Sequence, residues 1–271
     1  MTRSAGHGMP AVVPPVELAG LAGFGPYFAV ATHDPRSPPA APWQPLSTLT
    51  SSPQILRDRI AAVRAALAAA AGRPPGAVEF RVAASVTHLG TAARLISPPL
   101  GAAVISGTVL RVDPAARWQP VLGGAFPLSL PVANSTLPSA HGDSGEDDAL
   151  GEELARHVVN GPIRALTDMT MAMSVPPAVL WGNIASAVNG ATHMIAAARP
   201  SLTARAQAIS TALLQHSPLA GTWDGTPAAR FRRRNCCLIY RIDPRHRAAI
   251  CADCILQRPQ PTRPAGTRCQ D

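Results

Sequence analysis

The sequence predicts an α+β fold: a mostly helical main domain with a few short strands, followed by a small C-terminal β-hairpin module that carries a cysteine cluster. Three observations predict it. Several long stretches repeat apolar residues at helical spacing. Proline and glycine punctuate the shorter stretches in the way typical of strands and turns. Four of the chain's five cysteines lie between Arg232 and Leu256.

Composition allows a sizeable core and gives little information about partners. A chain of 271 residues buries roughly three quarters of its unfolded surface. The net charge of +8 comes from arginine, because the chain has no lysine. A basic excess can serve nucleic acid, an anionic membrane or an acidic partner, but arginine-rich, alanine-rich usage also follows from genomic base composition. We therefore expect no nucleic-acid partner on charge alone.

Hydropathy gives no indication of a membrane protein. No stretch reaches 18 uninterrupted apolar residues, so we expect no membrane span. The first 20 residues carry one arginine and a short apolar run that prolines interrupt, which is not typical of a signal peptide. We expect a cytoplasmic location, where thiols stay reduced.

Helices account for most of the predicted main domain. Apolar residues of Ser52–Gly72 repeat at helical spacing, and Gly72 with Pro74 supplies the stop. Gly76–Ser97 continues as a helix that Pro98-Pro99 is expected to end, and Leu100–Pro114 begins as a short helix or strand. Further helices are predicted over 148–160 and 161–174, joined at Gly161-Pro162, then over 176–200, and over 201–215 with Ser201 as N-cap. The proline- and glycine-rich stretch after residue 114 predicts short strands and turns.

Composition shifts divide the chain into four parts. We expect a disordered N-terminus over 1–15, a mainly helical substrate-binding domain over 16–228, a cluster-binding module over 229–258 and a flexible tail over 259–271. Within the main domain, six of the sixteen acidic residues fall between Asp143 and Glu153, which predicts a flexible acidic loop near 135–150. Cys269 lies in the tail and is expected to be a dispensable, exposed thiol.

The remaining four cysteines are spaced for a shared site. Neighbouring residues such as Cys236 and Cys237 have Cα atoms about 3.8 Å apart, too close for an unstrained disulfide. Clustered thiols in a reducing compartment are metal ligands or redox groups more often than disulfides. Leu238–Ile242 has strand propensity, residues 243–246 have turn chemistry, and residues 248–250 can run back. Such a hairpin brings the first two thiols next to the C-x-x-C step formed by Cys251 and Cys254.

The spacing of the cysteines alone does not identify the metal. Consecutive strand residues point to opposite faces, so Cys236 and Cys237 share a site only if the chain turns there or if the site has more than one metal atom. A two-iron cluster meets that demand more easily than a single tetrahedral zinc. Positive charge near thiols lowers their pKa, and it also raises the reduction potential of a cluster. Alternatively, the arginines around the cysteines bind an anionic partner or form a solvated basic surface. The flanking arginines are Arg232, Arg233, Arg234, Arg241, Arg245 and Arg247.

The cysteine segment resembles a known family. Its C-C-x-x-Y-R sequence, from Cys236 to Arg241, followed by C-x-D-C from Cys251, is similar to the C-terminal signature of the FhuF-type ferric siderophore reductases. Upstream, Leu180–Asn183 resembles the L-W-G-N helix start of that family. Ala84-Ser85, His88-Leu89-Gly90 and Ser97-Pro98 resemble its central helix. The resemblance covers about residues 80 to 256. Thirteen residues separate Cys237 from Cys251 here, three more than the family's usual ten, and a longer turn absorbs the difference.

The resemblance implies a function. It implies a [2Fe–2S] cluster held by Cys236, Cys237, Cys251 and Cys254, and one-electron reduction of Fe(III) in a siderophore chelate, which releases Fe(II) in the cytosol. No catalytic residue beyond the cluster is required. The partners would be a ferric siderophore and an external electron donor, either a redox protein or a small reductant. A nucleotide cofactor is not expected, because Gly20, Gly23 and Gly25 lack the spacing of a nucleotide fingerprint.

Substrate residues and function both have alternatives. Trp181, Asn183, His88 and Arg94 are candidates for the chelate pocket, although each can equally be a packing or structural residue. The alternative functions are a zinc-ribbon-type binding module, which would use the arginine-rich hairpin, and an iron–sulfur electron carrier that reduces no siderophore.

Overall fold

The computed structural model describes residues 15–132, 145–242 and 250–256. These ranges contain eight α-helices: α1 (Pro15–Ala22), α2 (Thr48–Ser51), α3 (Pro53–Ala70), α4 (Phe80–Ser106), α5 (Glu146–Leu154), α6 (Arg164–Met171), α7 (Pro177–Ala198) and α8 (Thr203–Gln215). They also contain six short strands: β1 (Ala31–His33), β2 (Gln44–Pro45), β3 (Arg117–Trp118), β4 (Leu128–Pro131), β5 (Trp223–Asp224) and β6 (Arg232–Arg233). The α+β, mostly helical fold class is confirmed.

Helix α3 begins as the sequence predicts. The side chain of Ser52 accepts a hydrogen bond from the backbone N–H of Ile55 (3.4 Å), which satisfies one of the free N–H groups at the helix start. Pro53 occupies the first helical position, where its missing N–H costs no hydrogen bond. The C-terminal stop at Gly72 has a left-handed φ of +62°, which glycine adopts without strain.

Helix α4 runs through the expected stop. It continues past Pro98 and Pro99 and ends only at Gly107, whose φ is +65°. A proline inside a helix costs about 3 kcal/mol, and burial offsets this cost because every residue from Arg94 to Val104 is buried. The prediction that Pro98-Pro99 ends this helix is therefore wrong, and Leu100–Ser106 forms its last two turns.

The later helices follow the sequence with two differences at their ends. Helices α5 and α6 are joined by a wider π-helical stretch, Ala155–Ile163. Gly161 leaves helical geometry there (φ −100°, ψ −115°), because the residue before a proline is disfavoured in the α region. Helix α8 starts at Thr203 after the 3₁₀ turn Pro200–Leu202 and has no side-chain cap. Ser201 is therefore not its N-cap.

Two small sheets accompany the helices. One has the strand order β1-β4-β3-β2, in which β1 and β4 are parallel and the other pairs are antiparallel. The other is an antiparallel pair of β5 and β6, in which Trp223 is opposite Arg233. This second sheet leads directly into the cysteine segment.

The centre of the molecule is the packing of α4 against α7. Their buried faces share one large apolar core with α1, α8 and the four-stranded sheet, and a smaller core lies among α3, α4, α6 and α7. None of the helices in the described ranges is long and apolar enough to cross a membrane.

Several sequence expectations lie outside the described residues. They are the disordered N-terminus as far as residue 14, the acidic loop over 135–144, the hairpin turn over 243–246 with residues 248 and 249, and the tail over 259–271 with Cys269. From Glu146 onward the acidic stretch belongs to α5, and Glu146, Asp147 and Asp148 occupy its first turn, where carboxylates favour the positive end of the helix dipole.

Candidate metal centre

The chain reaches the first two cysteines through the β5–β6 hairpin and then bends. Leu238 has a φ of +68°, an unusual left-handed conformation for a leucine. A 3₁₀ turn, Ile239–Arg241, follows it. The predicted strand Leu238–Ile242 is therefore wrong: the two-stranded ribbon of this module lies before the cysteines, at β5 and β6.

Hydrogen bonds to sulfur explain why the chain bends at this point. The backbone N–H of Leu238 donates to Sγ of Cys236 (3.3 Å), and the N–H of Ile239 bonds to the thiol of Cys237. In the second half of the site, the N–H of Leu256 donates to Sγ of Cys254 (3.3 Å). An extended strand would direct these N–H groups sideways to a neighbouring strand, whereas the bent backbone directs them back at the thiols.

The bend brings cysteines from the two halves together. Sγ of Cys237 lies 3.5 Å from Sγ of Cys251. Cys237 and Cys254 are buried, whereas Cys236 and Cys251 are partly exposed. Two of the four sequence-predicted ligands are therefore in contact, and the thiols of Cys237 and Cys254 are near enough to raise the pKa of Cys236.

The thiols influence one another's ionisation. A hydrogen bond from Cys251, together with the N–H of Ile239 and the charge of Arg233, lowers the pKa of Cys237 to about 6. The same hydrogen bond and burial raise the pKa of Cys251. Burial, and after it the nearby thiols of Cys237 and Cys254, raises the pKa of Cys236. The close pair thus loses its first proton readily and retains the second.

A buried arginine lies beside the thiols. Arg233 is 1% exposed, and Nη2 donates to Oδ1 of Asn183 (2.8 Å) and to the carbonyl of Val179 (3.2 Å). Nε and Nη1 are buried and have no hydrogen-bond partner among the described residues. Burial lowers the pKa of Arg233, and the thiols of Cys237 and Cys251 oppose that shift. A positive charge therefore lies beside the sulfurs, and two of its N–H groups form no hydrogen bond to the described residues.

Hydrogen bonds connect this arginine to the central helices and back to the cysteines. Asn183 on α7 donates through Nδ2 to the carbonyl (3.0 Å) and hydroxyl (3.1 Å) of Ser85 on α4. Ser85 donates in turn to the carbonyl of Cys237 (2.8 Å). Gly182 leaves room for the guanidinium, since a Cβ there would lie 3.1 Å from Nη2 of Arg233. The Gly-Asn step and the serine that the sequence singled out therefore position the cysteine segment.

The C-x-x-C step is fixed to α7 separately. The carboxylate of Asp253 accepts hydrogen bonds from Ser186 and from Nδ2 of Asn189 (3.0 Å), and its carbonyl accepts the backbone N–H of Arg233 (3.0 Å). Oδ1 of Asn189 also accepts the N–H of Ala228 (2.8 Å). Burial raises the pKa of Asp253 against the effect of these donors.

The other candidate pocket residues have structural partners. Nε2 of His88, which is buried, lies 3.0 Å from the hydroxyl of Thr167, and burial, reinforced by Arg233, lowers its pKa to about 3. Arg94 donates to three backbone carbonyls, those of Tyr27, Ala29 and Phe126.

Trp181, the remaining candidate, packs at the edge of the main core. Its ring centroid lies 5.2 Å from the guanidinium carbon of Arg164. Its environment is therefore that of a packing residue, like those of His88 and Arg94.

The arginines around the thiols differ in environment. Arg234 forms an exposed ion pair with Asp224 (2.6 Å), and Arg241 pairs with Glu79 (2.7 Å). Arg232 is partly exposed on β6. Arg245 and Arg247 lie outside the described residues. Strand alternation explains why Arg233 is buried and its neighbours are not, because Arg233 points to the opposite face from Arg232 and Arg234.

One pair of thiols is spaced as two ligands of one metal atom. Over the described ranges, no three His, Cys, Asp or Glu side chains are disposed around one metal position. Two sulfurs bound to one tetrahedral metal at about 2.3 Å are about 3.8 Å apart, close to the 3.5 Å between Cys237 and Cys251. Thiolates that accept backbone N–H bonds are the ligands that iron–sulfur clusters use. Three of the four thiols, those of Cys236, Cys237 and Cys254, accept such bonds, so the donor set is compatible with an iron–sulfur group.

Comparison with models of known protein families and with curated proteins finds no match.

Proposed function

We propose that the chain is an iron–sulfur ferric-chelate reductase in which Cys236, Cys237, Cys251 and Cys254 hold a [2Fe–2S] cluster. The observation that carries the proposal is the contact of Cys237 with Cys251 (3.5 Å) beside the buried charge of Arg233. When bound, such a cluster supplies reversible one-electron chemistry. The electron source would be an external redox protein or a small reductant, and we place the reaction in the cytosol.

The reaction requires one electron and no catalytic acid or base. Fe(III) in a siderophore accepts the electron and becomes Fe(II), and the donor is oxidised by one electron. Hard oxygen ligands hold Fe(II) far less tightly than Fe(III), so the chelate releases the iron. Iron here is the substrate, separate from the cluster.

The chain's own residues have two roles in this proposal. Arg233 offsets the negative charge that four thiolates bring together, which favours their ligated form. Ser85, Asn183 and Asp253 fix the two halves of the cysteine segment to α4 and α7. Partial exposure of Cys236 and Cys251 leaves an accessible side for an electron donor or acceptor.

The proposal is tested first by composition. Protein purified under anaerobic conditions should be red-brown and contain two irons and two sulfides per chain. Cys254→Ser should abolish the visible absorption, and Cys269→Ser should preserve it. A colourless, zinc-loaded protein would refute the cluster and support a zinc-binding module.

Activity is tested next. Dithionite-reduced protein, freed of excess reductant, is mixed with ferric siderophores and a ferrous-specific chelator. We expect reoxidation of the protein and one Fe(II) released per reduced cluster. Failure with every hydroxamate and catecholate chelate would leave an electron carrier and reject the reductase.

A further inference from the structure

A cleft outside the cysteine segment has the composition of a small-molecule site. Two adjoining cavities of about 300 and about 280 Å³ lie between α3 and the segment Pro120–Phe126, and both are lined by Arg59 and Leu122. We refer to them together as the Arg59 cleft. Small-molecule sites are typically concave and mostly apolar, with a few convergent polar groups.

Arg59 is the cationic group of the cleft, and no carboxylate among the described residues forms an ion pair with it. Its guanidinium carbon lies 5.1 Å from the ring centroid of Trp118 and 5.0 Å from that of Phe126. Nη1 donates to the carbonyl of Val121 (3.3 Å), whereas Nε is buried without a partner. Asp58 lines the outer cavity, but its carboxylate bonds to Gln54 (2.7 Å).

A desolvated guanidinium with unused donor capacity favours an anion. No carboxylate within the described ranges forms an ion pair with Arg59, and burial lowers the pKa of this arginine. Burial of an uncompensated charge is costly, and a planar anion that accepts two N–H bonds would relieve that cost.

The walls of the cleft favour a flat apolar body. Tyr27, Val63, Leu67 and Val86 supply much of the lining. The hydroxyl groups of two lining threonines already donate to carbonyls of their own helix; they are Thr87 and Thr91.

The mouth of the cleft also exposes apolar surface. Val121 and Leu122 are 46% and 41% exposed. The following Gly123 and Gly124 have φ values of +80° and +97°, which glycine adopts without strain. The cleft thus combines aromatic faces, one cation and an accessible apolar edge.

We propose that the Arg59 cleft binds an aromatic ring bearing an anionic oxygen, such as a catecholate or an aryl carboxylate. Resting on the proposed function, such a ring would be one arm of the ferric chelate. Val86, which lines the cleft, follows Ser85, which bonds to the carbonyl of Cys237. The cleft and the cysteine segment thus contact α4 at consecutive residues.

A second groove, of about 400 Å³, touches the cysteine segment itself but does not suit an anion. Ala252 and the carboxylate-bearing Asp253 line it, together with His193. No arginine is among the residues that line this groove, so nothing there offsets the repulsion between Asp253 and an anion. The Arg59 cleft has a carboxylate at its wall too, that of Asp58, but it also has a guanidinium, so it is the better site for the aryl anion.

Binding is tested with redox-inert probes on the full chain. The probes are 2,3-dihydroxybenzoate and its Ga(III) complex, measured by calorimetry, with acetohydroxamate as the neutral comparison. We expect both aryl probes to bind and Arg59→Gln to weaken them by about tenfold or more, because a hydrogen bond to a charged group is lost. Arg57→Gln, an exposed arginine on the same helix, is the matched control and should bind as the wild type does.

A second pair of variants guards against misfolding at Arg59. Ala66 lines the cleft and is exposed, so Ala66→Trp should block binding without disturbing the core, and Ala65→Trp should not. No binding to the wild type, or binding to Arg59→Gln and Ala66→Trp as tight as to the wild type, would overturn the proposal. Aryl binding through Arg59 in a protein that reduces no chelate would refute the proposed function and keep the cleft assignment. Reduction of a chelate by a protein that binds neither aryl probe would keep the proposed function and refute the cleft assignment.

Discussion

Arg233 donates through Nη2 to Oδ1 of Asn183 at 2.8 Å, and this bond joins the cysteine segment to the middle of α7. The arginine retains two buried N–H groups without partners and lies near three of the four thiols. Removing the charge on Arg233 is therefore the most direct test of its influence on the four thiols.

Replacing Arg233 with methionine should change the chemistry of the thiols. In the metal-free, reduced protein the pKa of Cys237 should rise from about 6, because the positive charge that favours the thiolate is gone. The pH dependence of alkylation by iodoacetamide measures this shift. The exposed Arg234→Gln is the control, and equal profiles for the two variants would contradict the assignment.

If the chain holds the proposed cluster, the same variant should lower its reduction potential. Loss of a nearby positive charge destabilises the more negative, reduced state, and we expect a decrease of about 60 mV or more, the one-electron equivalent of a tenfold change in equilibrium. A redox titration followed by visible absorbance measures it. An unchanged potential would show that Arg233 has only a structural role.

Asn183 and Arg233 should be energetically coupled. Asn183→Ala removes a buried acceptor of a buried charge, and we expect a loss of about 2–4 kcal/mol in the free energy of unfolding. In the Arg233→Met background the same change should cost less, because no charge is left uncompensated. Urea denaturation of both single variants and the double variant gives the coupling energy. Strict additivity would argue against the hydrogen bond.

Gly182 should tolerate no side chain. A Cβ at this position would lie 3.1 Å from Nη2 of Arg233, so Gly182→Ala should displace the guanidinium and destabilise the protein by about 1–3 kcal/mol. Gly190 lies on the same helix with nothing within 4 Å of its Cβ position. Gly190→Ala should therefore be neutral or stabilising, by up to about 1 kcal/mol, from helix propensity. Thermal unfolding compares the two, and equal effects would contradict the steric account.

His88 should make stability depend on pH. Its folded pKa of about 3 lies below the ordinary value of 6.5, so the unfolded chain binds a proton on this side chain first as the pH falls. The stability contribution is complete above about pH 6.5 and is lost progressively towards pH 3. His88→Gln should flatten this part of the profile relative to the exposed His193→Gln. Urea denaturation at a series of pH values measures the slope, and identical slopes would refute it.

Local sequence patterns predicted the helical body well, whereas tertiary packing decided the exceptions. Ser52 and Pro53 mark the start of α3 in sequence and in structure. Pro98 and Pro99 fail to end α4, because burial on all sides outweighs the lost hydrogen bonds. Propensity also predicts a strand at Leu238, where N–H bonds to sulfur favour a bend. Apart from the adjacent cysteines, nothing in the sequence indicates this bend.

The candidate site, too, could be predicted from the sequence only in part. Spacing and resemblance predicted that the four cysteines lie together, but the choice of Arg233 from six flanking arginines required the register of β6. Arg59 was missed, although a signal existed. It lies four residues after Ile55 and four before Val63, so a charged residue interrupts an apolar stripe of α3. The aromatic rings that enclose it come from a distant part of the chain.

Ser85 and Asp253 secure the two halves of the cysteine segment with hydrogen bonds to which no metal contributes. Ser85 belongs to α4, whereas the partners of Asp253 belong to α7, so different helices hold the two halves of the segment. A change in how α4 packs against α7 would therefore alter the separation of Cys237 from Cys251 and Cys254.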